Sequence, residues 1–300
     1  MRKIVFILLS LFLLSCDKEL PFNGFNNEPN VVVQCQFTTD SSLQLYLSYT
    51  SDVLAGDVNS VFIENAKVRM IDSNGLIENL NHVSSGLYTS NFYPKAGIDY
   101  TLHITLDDGK LITAKSRIPK ESLEFQVDTL TGPLNRLDVS VSLNNDINTR
   151  QYYILRVKEF STHYVRNAYD ENKIDSIKGW HPMSINSNNN IFESSGNLNA
   201  SSLNFEMFTD QFFNGQSYLL NLLIDRALLN KNENKTASDR LMVYLKSVPK
   251  SCYDYYLGVI KNSNNYGGPF STNFNPVDNI ENGYGIFTGY RHYSKKIILK

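Results

Sequence analysis

Apolar and polar residues alternate with a period of two along much of this chain, the mark of half-buried strands. Val31-Val32-Val33 opens the first. Leu43, Leu45 and Leu47 then alternate with Gln44, Tyr46 and Ser48. Residues 66–70 alternate and stop at the turn Asp72-Ser73-Asn74-Gly75. Tyr100, Leu102, Ile104 and Leu106 share one face, and Thr101, His103 and Thr105 share the other. Asp108-Gly109 predicts a type I′ hairpin turn, whose two central residues both take positive φ. Residues 111–118 return and Pro119 closes the module. Strands at this spacing with Asx-Gly turns predict an Ig-like or transthyretin-like β-sandwich over residues 30–120.

Residues 121–300 read as a second β-rich domain. Val139, Val141 and Leu143 alternate with Ser140 and Ser142. Residues 152–157 are rich in aromatic and β-branched side chains. Leu241, Val243 and Leu245 make a further strand. Between these, residues 161–205 are polar and Asn-rich with isolated aromatics, which predicts a long loop. One short C-terminal helix is expected. Pro249 suits a first helical position. Val248, Cys252, Tyr255, Tyr256 and Val259 then form one apolar stripe. The helix should end within 262–265, ahead of Gly267-Gly268-Pro269, and a short strand should follow over 284–287. The class is therefore predominantly all-β.

The first sixteen residues break the pattern. Arg2 and Lys3 precede a nearly unbroken apolar run over 4–14, and Leu13-Leu14-Ser15-Cys16 ends it as a lipobox. The run falls short of the ~20 apolar residues a membrane span needs, so it reads as a lipoprotein signal peptide. Cys16 then starts the mature chain and carries acyl, palmitate-type chains, each buried CH₂ worth about 0.8 kcal/mol of anchoring. Residues 17–29 (DKELPFNGFNNEP) form a polar tether. Its opening Asp17-Lys18-Glu19 resembles the short signals by which some Gram-negative bacteria send lipoproteins to the outer face of the outer membrane.

Composition narrows the function. The formal charge is −2 over 300 residues, and removing Arg2 and Lys3 leaves 26 basic against 30 acidic side chains. No basic patch is legible that would release phosphate counterions, so nucleic acid is not an expected partner. After Cys16, Cys35 and Cys252 remain. In an oxidising compartment they can form a disulfide. The alternative, two separate buried thiols, stays open, because spacing does not place two Cα atoms within bonding reach.

No chemistry is signalled. The histidines at 82, 103, 163, 181 and 292 are scattered outside any metal-ligand spacing, so no metal and no cofactor is expected. There is no nucleophile elbow and no phosphate-cradling glycine loop. Asp107-Asp108 sits at a turn and points to opposite faces. Asp128-Thr129-Leu130 and Asp175-Ser176-Ile177 match a short O-glycosylation pattern that chance also produces. Exposed aromatics on loops are a common means of gripping partners. The irregular segments 161–205 and 262–293 make Trp180, Tyr266, Phe270 and Tyr290 the candidate partner or ligand contacts.

Several short motifs carry a resemblance. Phe208-Thr209-Asp210-Gln211-Phe212-Phe213-Asn214-Gly215 matches an FsDxxfnG element. Asn279-Ile280-Glu281-Asn282-Gly283-Tyr284-Gly285-Ile286-Phe287 matches a closing NIxNGxGxF element. Ala66-Lys67-Val68, Gly86-Leu87-Tyr88, Gly97-Ile98-Asp99-Tyr100 and Ile118-Pro119 add to it. Together they resemble the lipoprotein family built around domain of unknown function 4249, over about residues 30–290. The resemblance implies a non-enzymatic outer-membrane lipoprotein at the cell surface, partnering a TonB-dependent type barrel in nutrient capture. The alternative is a structural accessory subunit of an outer-membrane assembly or secretion complex.

Overall fold

A computed structural model describes residues 29–51, 61–120, 123–131, 136–144, 149–167, 173–183, 185–187, 191–193, 204–213, 216–264 and 277–299. Cys16, nearly all of the tether, Tyr266 and Phe270 lie outside the described residues. Among the described residues the protein is predominantly β, with one α-helix.

The first module grows from the alternation. Strands β1 (Val31–Phe37), β2 (Gln44–Tyr49), β3 (Lys67–Asp72), β4 (Ile77–Ser84), β5 (Leu87–Thr89), β6 (Asp99–Thr105) and β7 (Leu111–Arg117) turn one face inward. Val31, Val33, Cys35 and Phe37 are buried on β1 while Gln34 and Gln36 face out. Leu45, Leu47, Val68, Met70, Tyr100, Leu102 and Ile104 meet them in one core. Tyr88 is fully buried, and its hydroxyl donates to the Ile63 carbonyl while accepting from the Ala66 N–H. The hairpin at Asp108-Gly109 is not type I′. Only Gly109 takes positive φ, and the Gly109 N–H reaches the Leu106 carbonyl at 3.0 Å. That is a three-residue loop in which a turn is followed by a left-handed glycine. Asp72 to Gly75 repeats the design, with the Asp72 carboxylate accepting from the Asn74 and Leu76 N–H groups.

The last strands of the chain belong to this module. β16 (Ile280–Glu281) pairs antiparallel with β7, and β17 (Tyr284–Gly289) pairs parallel with β1. The order β16-β7-β6-β3-β4-β5-β2-β1-β17 puts two consecutive strands on opposite edges, so the sheet curls almost shut. A division at residue 120 therefore has to be corrected: residues 280–289 complete the first module. The closing motif explains itself physically. Asn279 donates to the Lys115 and Phe287 carbonyls and accepts from the Phe287 N–H. Gly285 has φ +114°, and a Cβ there would lie 2.0 Å from the Val33 carbonyl oxygen. Only glycine lets β17 approach β1 so closely.

The second module packs two sheets. One holds β11 (Ile174–Met183), β10 (Tyr152–Arg166), β15 (Arg240–Val248) and β18 (Arg291–Ile298), with β13 (Glu206–Thr209) also on β10. The other holds β12 (Asn186–Ser187), β14 (Ser217–Asp225), β9 (Arg136–Asn144) and β8 (Glu124–Thr131). Val139, Val141, Leu155, Val157, Leu220, Leu222, Val243 and Leu245 fill the space between them. The expected loop over 161–205 is corrected in part. Residues 161–166 and 174–183 form a long hairpin, paired from Val157↔Met183 to Arg166↔Ile174. Helix α1 (Lys250–Asn264) packs on one end of the outer face of the five-stranded sheet, over Ile154 and Val248, and meets β17. Its buried side chains are Cys252, Tyr253 and Ile260, so the stripe is rotated from the expected one; Tyr255, Tyr256 and Val259 are half-buried. No described helix is long and apolar enough to cross a membrane.

Candidate functional site

Where α1 and β17 meet the five-stranded sheet, a cleft of about 360 Å³ opens. Strand periodicity builds its floor. Leu155 and Val157 of β10 point into the second core, so Ile154, Arg156 and Lys158 point the other way. Leu245 and Ser247 of β15 likewise turn inward, leaving Tyr244, Lys246 and Val248 to the cleft. Gln36 of β1, Thr288 of β17, Tyr290 and His292 form one wall, and Phe205, Cys252 and Tyr256 form the other. Both modules thus contribute.

The side chains interlock. Lys246 Nζ donates to Gln36 Oε1 at 3.3 Å, and Gln36 Nε2 donates to the Tyr256 hydroxyl at 2.6 Å. The Lys246 ammonium sits 3.9 Å from the centre of the Tyr290 ring. Lys158 lies 5.3 Å from the Tyr244 ring and the Arg156 guanidinium 5.6 Å from Phe205. These are cation–π contacts. Among the described residues no carboxylate lines the cleft and none pairs with Arg156, Lys158 or Lys246. Asp40 stands near the rim, 3.4 Å from His292 Nδ1.

Electrostatics follow from burial and like charge. Desolvation lowers Lys246 to about 8; Cys252 opposes it, and Arg156 and then Lys158 add smaller pushes downward. Burial raises the Cys252 thiol to about 11, while Thr288 and Lys246 pull it down. A thiol so held is neutral near pH 7 and a poor nucleophile. Burial lifts Tyr256 to about 12. The cleft is a desolvated cationic pocket with aromatic walls, arranged to receive negative charge.

A second polar cluster is structural. Glu159 is almost fully buried at the end of the second core. Lys235 Nζ donates to both its oxygens, at 2.6 and 2.5 Å, and also to the Leu228 carbonyl. The Ser238 hydroxyl donates to Glu159 as well. Lys235 is thus engaged by Glu159 and the Leu228 carbonyl together. His163 lies 3.3 Å from Glu159 and stacks on His181 at 3.7 Å. Among the described residues no group of three metal-ligating side chains occurs.

The sequence candidates fall in different places. Tyr290 lines the cleft, beneath Lys246. Trp180 stands on β11, half-buried, edge-on to Phe160 at 5.2 Å. It belongs to a strand rather than a loop. Cys35 and Cys252 are both free and buried, one in the first core and one beneath α1. The disulfide that the sequence left open is not formed, because alternation on β1 sends Cys35 inward, away from Gln36 and the cleft. Arg156, Lys158 and Lys246 were missed. Their signal was a cation at every second position beside Leu155, Val157 and Leu245, which on one strand reads only as a solvated face.

Fold and site together define a two-module β scaffold with an anion-receptive cleft at the junction. The chain belongs to the family described as domain of unknown function DUF4249, whose model matches residues 17–296. No curated relative matches the sequence. Among solved structures, the chitinase ChiA74 from Bacillus thuringiensis aligns with 66% of this chain and 27% of its own, at 12% identity and a TM-score of 0.18. This chain thus spans about a quarter of that protein, and a likeness so slight carries no argument.

Proposed function

We propose that this chain is a non-enzymatic surface lipoprotein that captures a ligand beside an outer-membrane barrel of the TonB-dependent type. The observation that carries the reading is the cleft. It concentrates three cations without carboxylate partners between aromatic walls. Covalent catalysis sets a nucleophile against an activating base. The thiol in this cleft is instead held neutral by burial. The Leu13-Leu14-Ser15-Cys16 box supports the lipid anchor, and Asp17-Lys18-Glu19 supports the outward face. A tether of residues 17–29 reaches at most ~45 Å from its lipid. Such confinement raises the effective concentration of any membrane neighbour.

The test is capture of the full chain from outer membranes in mild detergent. An integral β-barrel protein should co-purify in near-stoichiometric amount, and Cys16→Ala should release the chain from the membrane fraction. A wild-type chain that migrates alone overturns the accessory role.

A further inference from the structure

The cleft does not end at its walls. The pairing register lays out the whole outer face of the five-stranded sheet in rows. Lys246 lies between Ile154 and His292, and Tyr244 lies between Arg156 and Ser294. Lys158 and Met242 come next, with Lys296 beyond. Arg240 then lies opposite Phe160, which is opposite Trp180. Successive rows on one face are about 7 Å apart, so four rows span roughly 20 Å. Contacts confirm that the far rows share the face. The Arg240 guanidinium is 3.9 Å from the Phe160 ring, and Trp180 packs on the same ring.

Along this face cations and flat rings are interspersed. Lys246, Arg156, Lys158, Arg240 and Lys296 share it with Tyr244, Phe160 and Trp180, and with the apolar Ile154, Met242 and Ile298. The registers named hold no carboxylate. Among the described residues Arg240 alone has a carboxylate partner there, the adjacent Asp239. The second core lies behind the sheet, so the sheet is a rigid platform. The ring-bearing side chains are half-buried, and Trp180 stands edge-on to Phe160.

We infer that this face and the cleft form one groove for an acidic oligosaccharide, whose carboxylates or sulfates pair with Arg156, Lys158 and Lys246 while its sugar rings lie on Tyr244 and Trp180. Cations set among rings on one face carry the inference. A glycan of this kind presents both apolar C–H ring faces and fixed negative charges. A lipid surface is met instead by projecting lysines and protruding apolar side chains. A single-stranded nucleic acid is also gripped by cations and stacking rings, but it draws on a net basic field, whereas this chain carries a formal charge of −2 overall. The cations over rings are pre-positioned, and fixed donors hold carboxylates best.

This ligand class rests on the reading of the cleft as a capture site. The test titrates the detergent-solubilised full chain with a uronate oligosaccharide, its methyl-esterified counterpart, inorganic sulfate, a single-stranded oligonucleotide and anionic phospholipid vesicles. The uronate oligosaccharide should bind, and esterification should weaken it about tenfold or more by removing the charge. Joint substitution of Arg156→Gln and Lys158→Gln should lose a similar factor, and joint Arg156→Lys and Lys158→Arg should recover most of it. Tyr244→Ala should weaken the oligosaccharide but not sulfate. Equal binding of the esterified sugar, or binding of vesicles or oligonucleotide in place of sugar, overturns the proposal. Recovery of a barrel partner with no oligosaccharide binding overturns this ligand class and leaves the accessory role standing.

Discussion

Removing Lys235 should damage the second module more than removing Lys235 and Glu159 together. The Glu159 and Lys235 side chains are 5% and 9% exposed. In Lys235→Met the carboxylate loses both ammonium contacts and keeps only the Ser238 hydroxyl and His163 beside it. Stranding one member of a buried pair costs about 3–5 kcal/mol. In the double variant Glu159→Leu with Lys235→Met, no charge is stranded. The Leu228 carbonyl and Ser238 hydroxyl lose partners, at a cost of about 1–3 kcal/mol. The double variant should therefore be the more stable of the two, with a coupling energy of order 2 kcal/mol or more. Trp180 is the sole tryptophan and sits on β11 beside His181, whose backbone partner on β10 is Glu159. Its fluorescence in urea thus reports this module. With a slope of about 2 kcal/mol per molar, the single variant should unfold roughly 2 M earlier. A single-variant loss below about 1 kcal/mol would show that the pair is not desolvated. A double-variant loss equal to the sum of the two singles would refute the coupling.

Two further outcomes follow from the geometry. Gly285→Ala should open the first module, because its Cβ would meet the Val33 carbonyl at 2.0 Å, whereas Gly75→Ala, at φ +84° in open space, should cost only about 1 kcal/mol; thermal melts of the pair check this, and equal melting points sink it. Burial raises Glu206 to about 7 from 4.5, and its Oε2 has no hydrogen-bond partner among the described residues, so stability should fall as pH rises from 4.5 through 7. Glu206→Gln should stabilise the protein at pH 8 by about 1–3 kcal/mol, discounted for partial exposure, and change nothing at pH 4; parallel stability curves would refute the assignment.

Period-two alternation carried the core of the first module. Leu45, Leu47, Leu102 and Ile104 all point inward as the pattern requires. The same pattern names a face and never a partner. The strand over 284–287 was legible, but not that it pairs with β1 across some 250 residues of chain, since parallel pairing of first and last strands leaves no local signature. The hairpin of β10 and β11 was hidden for another reason. Ile174 and Ile177 are exposed, so the far end of that ribbon has no buried face to impose alternation. The cleft was legible only by halves. Tyr290 stood out as an aromatic near the C-terminus, while Arg156 and Lys158 looked like ordinary solvent-facing cations. What makes them a site is Lys246, which the register of β10 against β15 brings alongside them.

That register has a consequence for how the modules depend on each other. The cleft takes Gln36 from β1, Lys246 from β15 and Thr288 from β17. Thr288 is in place only because β17 has closed the first sheet, and Lys246 only because β15 lies centrally in the second module. At Tyr290 the chain crosses from the first module back to the second and turns into β18 against β15. Tyr290 donates its backbone N–H to the Phe37 carbonyl at 2.9 Å while its ring lies beneath Lys246. One residue thus hydrogen-bonds the first module and packs on a cation of the second. Hydrogen bonds fix its backbone and the cation fixes its ring, so the two sheets cannot shift past one another without breaking one or the other. The cleft inherits that rigidity. A ligand bound there meets donors already held in position and need not supply the free energy to order them.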